Sequence, residues 1–342
     1  MHICIFSTVF LPKIGGQEIF IKILANEFIA LGHNVEVVTD IITNDNSDNF
    51  PFKVIRSKSF NDKYKAFKRA DIVLLINFTL SDVPIAVLSG KKIIINHQIG
   101  YYASTRLLSK FLQYVKKKMC KFFINIPNSN FTSKQIAGKS YVVHNLYDDK
   151  LFIKKKYQRI KDFVFCGRLV TDKGMYLLVD SFKIVLKQYP NCSLTIVGDG
   201  PEKHSLQQYC DSININENVN FTGFLSGKKL QNKLTEHLCM VIPSIWEEPF
   251  GIVALEGIAS CDVVISSNRG GLPEAVGSCG YLVDPTINKL SEAMISVIKN
   301  RNDDSQFIGS KYFDQCLLHL SNFAPSFIAK QYIEIFKKQI IK

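Results

Sequence analysis

Short apolar runs of strand length alternate with amphipathic stretches long enough for helices, and they do so twice along this chain. In the first half, His2–Ser7, Asn34–Thr39, Ile72–Ile76 and Lys92–Ile95 are rich in Ile and Val, and Gly16–Leu31 has helical spacing. In the second, Phe163–Gly167, Ser193–Val197, Cys239–Pro243 and Val263–Ser266 alternate with helical stretches near Met175–Gln188, Pro201–Cys210, Lys228–Thr235 and Phe250–Ser260. A strand without a polar face needs cover on both sides, which parallel sheets sandwiched between helices provide. Ligands of such sheets sit beyond the carboxyl ends of the strands. The residues just after each apolar run are therefore where chemistry is sought. At 342 residues the chain exceeds one ordinary core. The polar, unpatterned stretch Lys154-Lys-Lys-Tyr-Gln-Arg159 marks the seam. The pattern predicts an α/β protein of two Rossmann-like domains, residues 1–150 and 151–325, facing each other across a cleft, with a last helix near Ser326–Ile340.

Composition narrows the setting. The start, Met1-His-Ile-Cys-Ile-Phe-Ser7, reads directly as a strand and lacks the basic n-region of a signal peptide. No apolar run reaches the roughly 18 to 20 residues that span a bilayer. Nine cysteines, scattered from Cys4 to Cys316 without a C-x-x-C pair, suit reduced, mostly buried thiols and a cytoplasmic location. The formal net charge of +12 calls for an anionic partner. Its densest cluster, Lys116-Lys-Lys118 with Lys121, falls in Thr105–Phe123, whose Leu108, Phe111, Leu112, Val115 and Phe122 have near-helical spacing. A basic amphipathic helix suits an anionic membrane surface on which a peripheral protein rests. A helix packed on the core with a solvated lysine face accounts for the same spacing, and both readings stay open. No finger, RNP-type or helix-turn-helix pattern accompanies the charge, so nucleic acid is not the expected partner.

Several loops after apolar runs carry chemistry. Gly15 and Gly16 precede the first helix and allow a close backbone approach to a ligand, yet the G-x-G-x-x-G dinucleotide fingerprint is absent there. His97 follows the run Ile93–Ile95. After Phe163–Gly167 comes Arg168-Leu-Val-Thr-Asp-Lys-Gly174, where a planar guanidinium and an ammonium on one loop suit phosphate oxygens. Val197-Gly-Asp-Gly-Pro201 and Phe221-Thr-Gly-Phe224, with Gly223, read equally as walls for a nucleoside and as plain turns. Most informative is Glu248-Pro-Phe-Gly-Ile-Val-Ala-Leu-Glu256, which puts one carboxylate on a loop and a second on the helix that follows. Pro249 fits a first helical turn, and Phe250, Gly251 and Ile252 bring amides to a positive helix end. There is no Walker loop, no G-x-S-x-G elbow and no H-E-x-x-H. Without a D-x-D pair no metal site is expected, and Arg168, Lys173 and helix ends are left to neutralise a diphosphate.

Together these residues resemble the family 4 type of retaining glycosyltransferases, with the GT-B fold. Glu248 to Glu256 matches that family's E-x7-E element, Asn268-Arg-Gly-Gly-Leu-Pro-Glu274 its Gly-Gly-x-Pro-Glu stretch, and Gly167–Gly174 the element that holds the donor diphosphate. Gly15-Gly16-x-Glu18 resembles the glycine loop near the phosphates, and His97 a histidine near the reaction centre. The resemblance implies that Glu248 binds the transferred sugar and Glu256 the ribose hydroxyls. The amides of Phe250, Gly251 and Ile252 then face sugar or phosphate, and residues 326–342 cross back to the first domain. It also implies a nucleotide diphosphate sugar as donor, no cofactor, and a saccharide or lipid-linked saccharide acceptor, as in surface-polysaccharide (lipopolysaccharide or capsule) assembly. Three departures stand out: Glu247 precedes Glu248 and allows a second register, Gln98 follows His97 where Gly is common, and Asn145-Leu-Tyr replaces Asn-Gly-Val. The rival readings are a nucleotide-sugar epimerase of the same fold and a non-catalytic binder of nucleotide or anionic lipid.

Overall fold

A computed structural model describes residues 1–12, 14–43, 49–100, 107–156, 159–301 and 310–340. It resolves two units: Met1–Leu146 with Phe323–Lys342, and Tyr147–Asn322. The first holds a six-stranded sheet built from β1 (His2–Ser7), β2 (Asn34–Thr39), β3 (Lys53–Arg56), β4 (Ile72–Ile76), β5 (Lys92–His97) and β6 (Ile124–Pro127). The second holds another, of β7 (Lys161–Cys166), β8 (Leu194–Val197), β9 (Val219–Gly223), β10 (His237–Ile242), β11 (Val263–Ser267) and β12 (Tyr281–Val283). Strand order is β3-β2-β1-β4-β5-β6 in one and β12-β11-β10-β7-β8-β9 in the other, and the pairings are parallel. Each is thus the doubly wound Rossmann order, whose winding reverses between β1 and β4 and between β7 and β10.

Period-two alternation explains why both faces are apolar. Ile3 and Ile5 of β1 face one way, against Phe20, Leu24 and Phe28 of the helix Gly16–Ala30; Cys4 and Phe6 face the other, against Ala66 and Phe67 of the helix Phe60–Arg69. The helix Pro325–Ile340 belongs to the first unit. It buries Ile328, Tyr332 and Phe336 beside Phe28, and the Tyr332 and Phe336 rings meet Phe28 at centroid distances of 6.1 and 5.7 Å. Side chains of this size contribute roughly 1.5 to 3 kcal/mol each when fully buried.

The second unit repeats the pattern. Phe163 and Phe165 of β7 pack on Leu178 and Phe182 of the helix Met175–Gln188. All nine cysteines are free thiols, and eight of them are buried.

Several boundaries differ from the sequence pattern for identifiable reasons. β5 runs past Ile95 to His97 because polar Asn96 is satisfied inside the unit, donating to Ile126 O at 3.0 Å and to the Tyr332 hydroxyl at 2.7 Å. The helix expected from Phe250 begins at Ile252 instead. Gly251 caps it with φ of 104°, a left-handed turn that stops the helix extending back, so Pro249 and Phe250 lie in the loop. The basic segment forms the helix Leu107–Met119 and the 3-10 turn Cys120–Phe122, while Thr105 and Arg106 lie outside the described residues. Among the described residues no helix is long and apolar enough to cross a membrane.

Candidate functional site

In the second unit, the loops after β7 and β10 leave the sheet at its winding reversal, where strands on either side turn off to opposite faces and leave room for a ligand. They are zipped together by backbone: the Ile245 and Trp246 amides donate to Asp172 O at 3.0 and 3.4 Å. This brings Lys173 and Glu248 into one ion pair, Nζ to Oε1, across loops far apart in sequence. Ser244 Oγ donates to the same carboxylate oxygen at 2.9 Å, and Lys173 Nζ lies 5.6 Å from the centroid of the Trp246 ring. Arg168 is exposed on the same loop as Lys173, and among the described residues its guanidinium has no hydrogen bond or ion pair. The cation pair expected from sequence is therefore one open guanidinium and one ammonium already held by a carboxylate.

Glu247 takes a different course. Its carboxylate lies 3.8 Å from Arg269, and both side chains are over two-fifths exposed. Glu248, not Glu247, is the carboxylate turned to Lys173 and Ser244.

The glycine pair of Asn268–Glu274 has a clear job here. The Gly271 amide donates to Glu248 O at 2.7 Å, and a Cβ on Gly270, with φ of 58°, would fall 2.2 Å from that carbonyl. The Gly-Gly turn thus seats the Glu247–Phe250 loop by close backbone contact.

Gly251 and Ile252 start the nine-residue helix Ile252–Ser260, whose first N–H groups have no intrahelical acceptor and form its positive end. Phe250 is buried beneath them. Glu256 lies one turn into that helix and is half-buried. Burial, and then the neighbouring Asp148 carboxylate, push its pKa up to about 7. In the free protein this carboxyl is poised between neutral and charged at physiological pH.

Gly223 ends β9, and its carbonyl accepts from the Gly198 amide at 2.9 Å. The Leu169 amide in turn donates to Asp199 O at 2.9 Å. The turn after β8 is thereby fixed both to Gly223 and to the Arg168 loop.

The first unit places Gly15, Gly16 and His97 at the carboxyl edge of its own sheet. Gly15 caps the helix Gly16–Ala30 in extended conformation, with the Glu18 carboxylate folded beside it. His97 closes β5 opposite Pro127 and is buried. Its Nε2 lies 2.9 Å from Asn125 Oδ1, while Asn125 Nδ2 donates to the carbonyls of Cys120, Phe123 and Lys139. That leaves Oδ1 as an acceptor, so Nε2 donates to it. Burial lowers the His97 pKa to about 4, which holds the ring neutral at physiological pH.

Sequence reasoning missed the amides around this edge. Asn77, left-handed at φ of 69°, donates to Gln17 Oε1 at 2.9 Å and accepts from the Gln98 and Ile99 amides at 2.8 and 3.1 Å. Gln17 donates to Ser7 Oγ at 3.0 Å, which fixes the turn after Gly15-Gly16 to the strand end. No sequence motif marks this network; the only signal is position after β1, β4 and β5.

Known proteins supply an independent line. Residues 147–312 match the family model described as Glycosyl transferases group 1. An uncharacterized glycosyltransferase of Methanocaldococcus jannaschii is 37% identical over 126 residues, which span 33% of this chain and 30% of that relative's length. Alpha-monoglucosyldiacylglycerol synthase of Acholeplasma laidlawii is 25% identical over 284 residues, covering 67% of this chain and 71% of that protein. Among solved structures, Anabaena Alr3699/HepE in complex with UDP superposes with a TM-score of 0.82 at 16% identity, over 99% of this chain and all of that one. The fold is that of the GT-B glycosyltransferases, and the matches support a glycosyltransferase of group 1.

Proposed function

We propose that the protein transfers a sugar from a nucleotide diphosphate sugar to a hydroxyl of a saccharide or lipid-linked saccharide, with retention at the anomeric carbon. The observation that carries this reading is the Lys173–Glu248 ion pair, with the exposed Arg168 on the same loop as Lys173 and Glu248 on the loop that leads into the amino end of the helix Ile252–Ser260. Two cations and a helix dipole suit a leaving diphosphate. The carboxylate that the diphosphate releases from Lys173 is then free to accept hydroxyls of the sugar. Stabilising the departing charge with groups already in place is the main catalytic contribution of such a site. Among the described residues of this site no side chain is arranged as a nucleophile with its own base, which favours front-face attack through an oxocarbenium-like state. His97, neutral and buried, fits a hydrogen-bonding role and not that of a general acid. A lipid-linked acceptor is favoured by the relative named for a glucosyl diacylglycerol, and surface-polysaccharide assembly is the setting we infer.

Arg168 and Lys173 supply the positive charge at the site, so the reaction is proposed to need no metal. A panel of nucleotide sugars tests both points. At least one donor is expected to raise the unfolding temperature and to release nucleoside diphosphate in the presence of EDTA. Donor binding without turnover until manganese or magnesium is added would overturn metal independence; no response to any donor would overturn the function.

A further inference from the structure

From its outward face, we infer that the helix Leu107–Met119 and the turn after it form a docking ridge for an anionic lipid bilayer. Two independent observations meet here. The first is charge: between Asp82 and Asp148 the sequence has no acidic residue and ten Lys or Arg, against a formal net charge of +12 for the whole chain. A solvated surface of ordinary composition intersperses both signs. The second is which side chains point out. Phe111, Tyr114 and Phe122 are 62%, 59% and 71% exposed, with Leu112 beside them at 37%.

Phe111, Tyr114 and Phe122, together with Lys110, Lys118 and Lys121, recur at three- and four-residue steps and form one stripe, and Leu112 lies off it. Lys118 Nζ lies 5.6 Å from the Tyr114 ring centroid, and Lys121 Nζ lies 4.9 Å from that of Phe122. The chain is held to the first unit at this end: Cys120 is buried and Met119 packs against the core, the Ala137 amide donates to Lys117 O at 3.3 Å, and a Cβ on Gly138 would fall 2.5 Å from Lys121 Cα. The apolar set differs from the one read from spacing, since Val115 is half-buried, Tyr114 takes its place, and the Leu108 side chain lies outside the described residues.

A helix that merely packs on the core turns its aromatics inward. This one turns them to water with lysines beside them, the composition that settles at headgroup depth. The lysines supply attraction to anionic headgroups, and the rings supply shallow insertion. This inference is independent of the proposed transferase activity, because vesicle binding is measured without donor or acceptor.

The test is sedimentation with vesicles of phosphatidylcholine alone and of phosphatidylcholine mixed with phosphatidylglycerol. The wild type is expected to bind the mixed vesicles, less so as salt rises. Lys118→Gln and Lys121→Gln are each expected to weaken binding about fivefold. The triple variant Phe111→Ser, Tyr114→Ser, Phe122→Ser is expected to lose roughly tenfold or more. Phe122→Ser alone keeps the test open if the triple variant does not fold. Equal binding to neutral vesicles, no binding by the wild type, aromatic variants that bind like the wild type, or preference for a single-stranded oligonucleotide over vesicles would each overturn it.

Discussion

Arg168→Ala and Lys173→Gln each lower turnover by roughly ten- to a hundredfold, and together by more, while the protein stays folded. Each removes a charge-assisted hydrogen bond to the leaving diphosphate, about 1.5 to 3 kcal/mol, and each 1.36 kcal/mol is about tenfold in rate. Arg168 is exposed, so its removal costs little packing. Lys173 needs more care, because Glu248 is only 12% exposed and loses its ionic partner. Gln is chosen there because its amide still donates to the carboxylate, separating loss of charge from loss of structure. The readouts are kcat and KM for an active donor, with urea unfolding as the control. Near wild-type turnover in a folded double variant removes these two residues from the chemistry.

The two carboxylates of the E-x7-E element are expected to fail differently. Glu248→Gln lowers kcat by roughly tenfold or more, since an ionised acceptor for the sugar hydroxyls becomes a neutral one, and leaves affinity for free nucleoside diphosphate close to wild type. Glu256→Gln acts on that affinity instead, with a pH signature. Ribose hydroxyls that donate to Glu256 favour its ionised form, whereas burial holds its pKa near 7 in the free protein. Below that pH the carboxyl must shed a proton to bind, so affinity in the wild type falls by up to about tenfold per pH unit. Above it, the carboxylate is already ionised and affinity levels off. In Glu256→Gln the profile is flat and the alkaline affinity is lower. Titration calorimetry at several pH values reads this directly. Glu247→Gln is expected to be silent, because that side chain lies toward Arg269; a Glu247 phenotype with a silent Glu248 exchanges their roles.

Much of this was legible in the chain because burial on two faces writes itself as continuous Ile and Val. β1, β2, β4, β10 and β11 are legible in this way, and the loops after β7 and β10 hold the site. Edge strands were harder. Lys53–Arg56 and Tyr281–Val283 are short and partly exposed, and Ile124–Pro127 contains a proline, so none forms an apolar run. Loop pairing was illegible for a different reason. The ion pair between Lys173 and Glu248 joins residues 75 positions apart, and only the winding reversal of the sheet, with the Asp172 backbone contacts, brings them together. The same holds for Ser244, whose hydroxyl has meaning only once Glu248 is beside it. The Asn77 network escaped because amides satisfied by one another leave no motif. The basic helix was ambiguous in sequence, since spacing defines a face but not which face meets water.

Backbone amide hydrogen exchange with and without nucleoside diphosphates measures most directly where the donor binds. A nucleotide held as proposed slows exchange in two separate stretches of the second unit, around 167–174 after β7 and 247–253 at the head of the helix Ile252–Ser260. The effect is lost in the Arg168→Ala, Lys173→Gln double variant. Exchange unchanged by every nucleoside diphosphate at saturating concentration, or slowed only at loops of the first unit, would contradict the account.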